Sequence, residues 1–197
     1  MDATLPFPWF DAAIILVLIA VNGVFAMSEL AIVSSRPAKL NAMSEGGKRG
    51  ANAALRLARD PGKFLSTVQI GITLIGIING AYSGSTLGQP VAVALANLGV
   101  PADWSDTLGF SVVISITTYA SLVVGELVPK QFALVAPERI AVLVAGPMEV
   151  LARITAPIVW LLDKSSALIF RMLGLRRDSR EALTTAGLRI GFAGAPP

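Results

Sequence analysis

Eight residues past the middle of the chain, Val123-Val124-Gly125-Glu126-Leu127-Val128-Pro129-Lys130, put a carboxylate, a proline and a lysine at the close of an apolar run that begins near Thr107. A carboxylate deep in a hydrophobic helix is unfavourable unless it lines a bundle interior or a cavity. Pro129 lacks the N–H that a helix would donate to the carbonyl of residue 125. The Gly125 oxygen is thereby left free, with no side chain to shield it. A free carbonyl beside a carboxylate is a ligand pair for a hard cation. The same residues also describe a kinked helix in which Glu126 pairs with Lys130 at i+4. The stretch by itself leaves both readings open.

Other polar residues stand in apolar surroundings. In the first run Ser28 and Glu29 are adjacent, about 100° apart on a helix, and Asn22 shares a face with Glu29 seven residues on. Asn22 alone reads more simply as an interhelical hydrogen bond. In the second run Ser66, Gln69, Thr73, Gly76, Gly80 and Ser83 follow a 3-4-3-4-3 spacing, one face of a helix. Gly76, Gly80, Gly84 and Gly88 recur every fourth residue, which allows close helix packing. Asn79 and Ser83 form a polar i,i+4 pair beside that ribbon. In the third run Ser111, Ser115, Thr118 and Gly125 share a face flanked by Ser121 and Glu126. The inventory is oxygen only: Ser28, Glu29, Asn79, Ser83, Glu126 and the Gly125 carbonyl. Such a set suits Mg²⁺, with Ca²⁺, Mn²⁺ or Na⁺ as alternatives. One difficulty is depth, since Asn79 lies about 20 Å from the basic end of its span while Ser28 and Glu126 lie nearer that end. Either the second span starts later than residue 64 or Asn79 stands apart.

The composition excludes several chemistries. Of 197 residues 54% are hydrophobic and 15% charged, against about 25% charged in soluble proteins. With no cysteine and no histidine, disulfides, thiol nucleophiles, the usual zinc sites and a Ser-His-Asp triad are ruled out. The net charge of +3 sets membrane topology rather than nucleic-acid binding.

The elements that must carry these residues are helices, and the expected fold is an all-α integral membrane domain over residues 1–175. Three spans are expected at about 11–33, 64–88 and 107–136, each long enough for the roughly 20 apolar residues a crossing needs. Asp11 is expected to cap the first. Residues 34–63 carry seven Lys or Arg against Glu45 and Asp60 and are broken by Gly46-Gly47. They read as two short helices on the cytoplasmic face, which places the N-terminus outside and the C-terminus inside. Residues 89–106, without Lys or Arg, read as an outer loop in which Val91 to Leu98 form at most a short helix. Residues 137–170, with Pro147, Glu149, Arg153 and Pro157, read as a kinked amphipathic belt along the cytoplasmic interface rather than a fourth span. Residues 176–197 read as a basic connector and a Gly/Ala/Pro-rich tail.

Three stretches together resemble the transmembrane domain of the CorC/CNNM (cyclin M-like) magnesium transporters. They are Asn22-Gly23-Val24-Phe25-Ala26-Met27-Ser28-Glu29-Leu30-Ala31, Thr67-Val68-Gln69-Ile70-Gly71-Ile72-Thr73 and Gly125-Glu126-Leu127-Val128-Pro129-Lys130. The resemblance covers about residues 8–175. It implies a homodimer in the plasma or inner membrane, with three spans per chain and a juxtamembrane belt. It implies Mg²⁺ efflux coupled to Na⁺ entry. Carried onto this sequence, the metal site involves Ser28, Asn79, Ser83, Gly125 and Glu126, with Pro129 maintaining the helix break; Asn22, Glu29 and Lys130 are secondary candidates. Family members continue into cytoplasmic CBS and CorC domains, so the sequence reads as truncated before them. A transporter working by alternating access is the expected function. The alternative is a non-transporting anchor that dimerises a cytoplasmic Mg²⁺ or nucleotide sensor. An intramembrane enzyme using Ser28-Glu29 or Glu126-Lys130 lacks a supporting histidine or thiol, and no enzymatic activity is expected.

Overall fold

The structure is a computed structural model that describes residues 8–173. The expectations for the first seven residues and for the 176–197 connector lie outside the described residues. Among the described residues seven α-helices follow one another: α1 (Trp9–Ser34), α2 (Pro37–Glu45), α3 (Ala51–Arg59), α4 (Pro61–Asn97), α5 (Ala102–Leu122), α6 (Val128–Val135) and α7 (Pro137–Met172). A single π-helical turn, Val123–Leu127, joins α5 to α6. No strand occurs among the described residues.

Four helical stretches are long and apolar enough to cross a membrane: α1, α4, α5 through α6 (Ala102–Val135), and α7. Their outward faces carry Leu16, Val17, Ile77, Ile116, Tyr119 and Leu143, all largely exposed. Such surfaces are satisfied by lipid rather than water. The described residues are thus an all-helical integral membrane domain, with four candidate spans where the sequence predicts three.

The difference lies in α7. Its prolines at 147 and 157 do not end it; one helix of 36 residues runs through both. Its apolar side chains are concentrated on one side far more than those of α1, α4 or α5.

The outer loop is also shorter than expected. Helix α4 continues through Pro90 to Asn97, and α5 begins at Ala102. Pro90 is tolerated because lost backbone bonds inside a bundle are re-satisfied locally. Gly99, at φ +95°, makes the turn between them, a conformation that favours glycine. At the other end Asp11 does not cap α1. It sits in the first turn, and its Oδ1 accepts the Tyr82 hydroxyl proton at 2.6 Å, tying α1 to α4.

The buried apolar cluster lies where the helices gather near α2 and α3. Phe25 and Ile32 of α1, Leu40, Ala54 and Leu57 of the short helices, Phe64 and Val68 of α4, Ala133 of α6, and Ala141, Val144, Ala145 and Met148 of α7 form one buried cluster. The break between α2 and α3 is made by Gly47 and Gly50, both at positive φ. A Cβ on Gly50 would run into the backbone of Val142, so this glycine also sets how closely α7 approaches. Arg56 and Glu149 clip α3 to α7 with two hydrogen bonds of 2.9 and 2.7 Å. Ends anchored in this way leave the middle of the bundle to be set by α1, α4 and the π-helical turn.

Candidate functional site

The π-helical turn is where the chain absorbs Pro129. The Val128 N–H donates to the Val123 carbonyl, five residues back, so the helix widens by one residue instead of kinking sharply. The Gly125 carbonyl does not stay open, as the sequence alone would have it. It accepts a 3.0 Å hydrogen bond from Nδ2 of Asn22 on α1. That bond requires the two backbones to touch. A Cβ on Gly23 would meet Pro129 Cγ at 3.0 Å, and one on Gly125 would meet the Ile19 carbonyl at 3.1 Å. Two glycines, a proline and an asparagine thus form one joint between α1 and the third span.

Beside the joint lies a cavity of about 190 Å³ lined by Asn22, Asn79, Thr117, Ser121 and Glu126, with Gly76 and Gly80 in its wall. Asn79 and Glu126 therefore line one cavity, whatever their distance from residue 64. With 37 residues, α4 is about 55 Å long. It overruns the roughly 30 Å hydrocarbon layer, so residue 64 is no measure of where the membrane begins. Two polar atoms at this cavity are orphaned: Oδ1 of Asn22 and Oδ1 of Asn79 are buried without a hydrogen-bond partner. An unpaired buried acceptor costs about 1–3 kcal/mol, and two on one cavity call for a donor or a cation.

Glu126 is ion-paired. Lys130 Nζ lies 2.8 Å from Glu126 Oε1 and 3.6 Å from Glu29 Oε2. Lys130 and Glu29 also line a neighbouring cavity of about 220 Å³ with Leu30, Val33 and Leu65. One ammonium thus links a carboxylate of the first cavity to a carboxylate of the second. The side chains of Glu126, Lys130 and Glu29 retain 33%, 32% and 25% exposure, so none of the three is sealed in the protein interior.

Ser28 and Ser83 are fully buried but do not line the first cavity. Each hydroxyl donates to its own helix, Ser28 to the Val24 carbonyl at 2.5 Å and Ser83 to the Gly80 carbonyl at 3.2 Å. Their oxygen lone pairs stay available. Ser111 and Ser115 are exposed and bond back to Thr107 and Ser111, so the hydroxyl stripe of α5 reaches the cavity only at its lower end. Thr117 was not marked by the sequence, although its i+4 spacing to Ser121 carries the signal. Among the described residues no three His, Cys, Asp or Glu side chains cluster as metal ligands. A cation here would be held by one carboxylate and neutral oxygens.

Residues 13–192 match the model of the cyclin M transmembrane N-terminal domain. The chain belongs to the cyclin M transmembrane (CNNM) family. It is 44% identical to the UPF0053 protein sll0260 of Synechocystis sp. over 89% of this chain and 39% of that relative. It is 34% identical to the UPF0053 protein YhdT of Bacillus subtilis over 83% of this chain and 35% of the relative. It is 30% identical to the polyamine export protein of Escherichia coli over 87% of this chain and 38% of the relative. The CNNM domain thus spans less than two-fifths of the length of these curated relatives.

Proposed function

We propose that this CNNM domain is a Mg²⁺ transporter, not an enzyme, that exports the ion in exchange for Na⁺ entry. The observation that carries the reading is the pair of orphaned amide oxygens, on Asn22 and Asn79, at one cavity with the Glu126 carboxylate. Hard cations take such oxygens, and Mg²⁺ gives up its waters only to a well-filled shell. Ser28 and Ser83, which lie off the cavity, would join that shell only after a movement of α1 and α4, and a shift of the Asn22 amide would free the Gly125 carbonyl.

Lys130 has a defined part in this mechanism. Its ammonium is paired with Glu126, so a cation binding that carboxylate must compete with it. Swinging toward Glu29 carries the ammonium to the second cavity, and its return would help expel the ion. Alternating access is then a movement of α1 against the π-helical turn, about the Gly23–Pro129 contact. In this reading the domain works as a homodimer with three spans. Helix α7 lies along the cytoplasmic interface because its charged residues stand opposite a concentrated apolar side. The basic α2–α3 segment then places the N-terminus outside.

A second reading concerns the cargo. A relative named as a polyamine export protein, and an alkylammonium already seated between two carboxylates, favour an organic polyammonium ion at the same place. Calorimetry on the whole chain in detergent, with Mg²⁺ and separately with a linear diamine, decides between them. Saturable Mg²⁺ binding that falls about tenfold or more in Glu126→Gln, as expected for loss of a charged partner, supports Mg²⁺. Diamine binding with the same dependence transfers the site to polyammonium cargo. Binding of neither, with or without Na⁺, would leave a membrane anchor for a cytoplasmic sensor. Lys130→Met is expected to tighten cation binding about tenfold, since the ion no longer competes with an ammonium for Glu126.

A further inference from the structure

A third cavity, of about 720 Å³, opens where two spans end, at Ser34 of α1 and Val135 of α6. Arg36, Lys39, Glu138 and Arg139 line it together with Leu134 and Val135. Lys39 is already neutralised, since its Nζ lies 2.9 Å from the buried carboxylate of Glu138. Arg36 and Arg139 have no carboxylate in an ion pair among the described residues. The cavity therefore carries an excess of two positive charges, both guanidinium. A guanidinium fork matches two phosphate oxygens, which an ammonium does not.

The apolar wall identifies the rest of the ligand. Leu134 and Val135 are 58% and 84% exposed at the very end of a span, where hydrocarbon gives way to headgroups. A soluble anion gains nothing from these side chains, whereas the first methylenes of an acyl chain would cover them. A basic residue flanking a span also serves topology, but topology requires only its place in the sequence. It does not require Arg36 and Arg139, on opposite sides of the second and third spans in sequence, to converge on one cavity. We propose that this cavity binds the phosphate of an anionic phospholipid between Arg36 and Arg139, with the lipid's upper chain against Leu134 and Val135. Because the site joins the ends of α1 and α6, a bound lipid would brace the two elements that meet at the Asn22–Gly125 joint.

The test is native mass spectrometry of the whole chain released from micelles doped with equal phosphatidylglycerol and phosphatidylcholine. Wild type is expected to retain phosphatidylglycerol in preference, by about fivefold for each arginine engaged. Arg36→Gln and Arg139→Gln should each lose that factor, and the double variant should bind the two lipids alike. Lys48→Gln, in the exposed turn between α2 and α3, should behave as wild type. Thermal midpoints measured in phosphatidylcholine alone separate lost binding from lost folding. Displacement of the lipid by millimolar inorganic phosphate would keep the phosphate site but overturn its lipid source. An undiminished preference in the double variant, or an equal loss in Lys48→Gln, would overturn the proposal.

Discussion

One helix carries the same small-residue motif twice, and its two halves do different things. In the half of α4 nearer the α4–α5 turn, Gly84 and Gly88 are buried against Phe110 of α5. Across that contact a Cβ on Gly109 would lie 2.7 Å from the Gly88 carbonyl oxygen and from the Ala92 nitrogen. In the other half a Cβ on Gly76 or Gly80 would meet nothing within 4 Å, and both glycines form the cavity wall beside Asn79. A four-residue glycine repeat therefore specifies only that a helix has a flat side. Whether the flat side receives another helix or an open space depends on what stands opposite. In one half Phe110 and Gly109 of α5 close against it; in the other Thr117, Ser121 and Glu126 stand back across the cavity.

This contrast can be broken by filling each half in turn. Gly109→Val should be the most damaging change, because the new methyl groups would press on backbone that cannot rotate aside. A loss of about 3 kcal/mol or more is expected, seen as a collapse of the thermal midpoint and of folded yield in detergent. Asn22→Ala comes next. It strips the Gly125 carbonyl of its donor at the α1 joint and should cost about 1–3 kcal/mol. Gly80→Ala should act in the opposite direction, raising the midpoint by up to about 1 kcal/mol through helix propensity while narrowing the cavity and weakening cation binding. A drop in stability for Gly80→Ala would show that this half of the ribbon is packed after all.

The two asparagines sharpen the same comparison at the level of single atoms. Asn22 uses its amide nitrogen to hold the fold and leaves its buried oxygen unpaired. Asn79 also leaves its buried oxygen unpaired. Asn79→Ala should therefore leave the midpoint within about 0.5 kcal/mol of wild type yet abolish the calorimetric signal for the cation. Equal stability losses for the two variants would mean that Asn79 is a packing residue.

Much of this was legible without coordinates. Apolar runs of span length, interrupted by Asn22, Glu29, Asn79 and Glu126, determine an all-helical membrane domain and mark its polar interior, because a backbone in lipid must bond to itself and a buried charge needs a reason. The break at Pro129 and the two short helices around Gly47 and Gly50 follow from local backbone chemistry, which is written residue by residue. Tertiary structure alone decided where the freed Gly125 carbonyl would turn. Its partner is Asn22, far away in sequence, and nothing local to either residue announces the pairing. The same holds for Lys130, which reaches Glu126 within its own helix but Glu29 only because α1 lies alongside. Periodicity places a residue on a face of its own helix; which neighbour that face meets is set by how whole helices pack, and that depends on all their contacts at once.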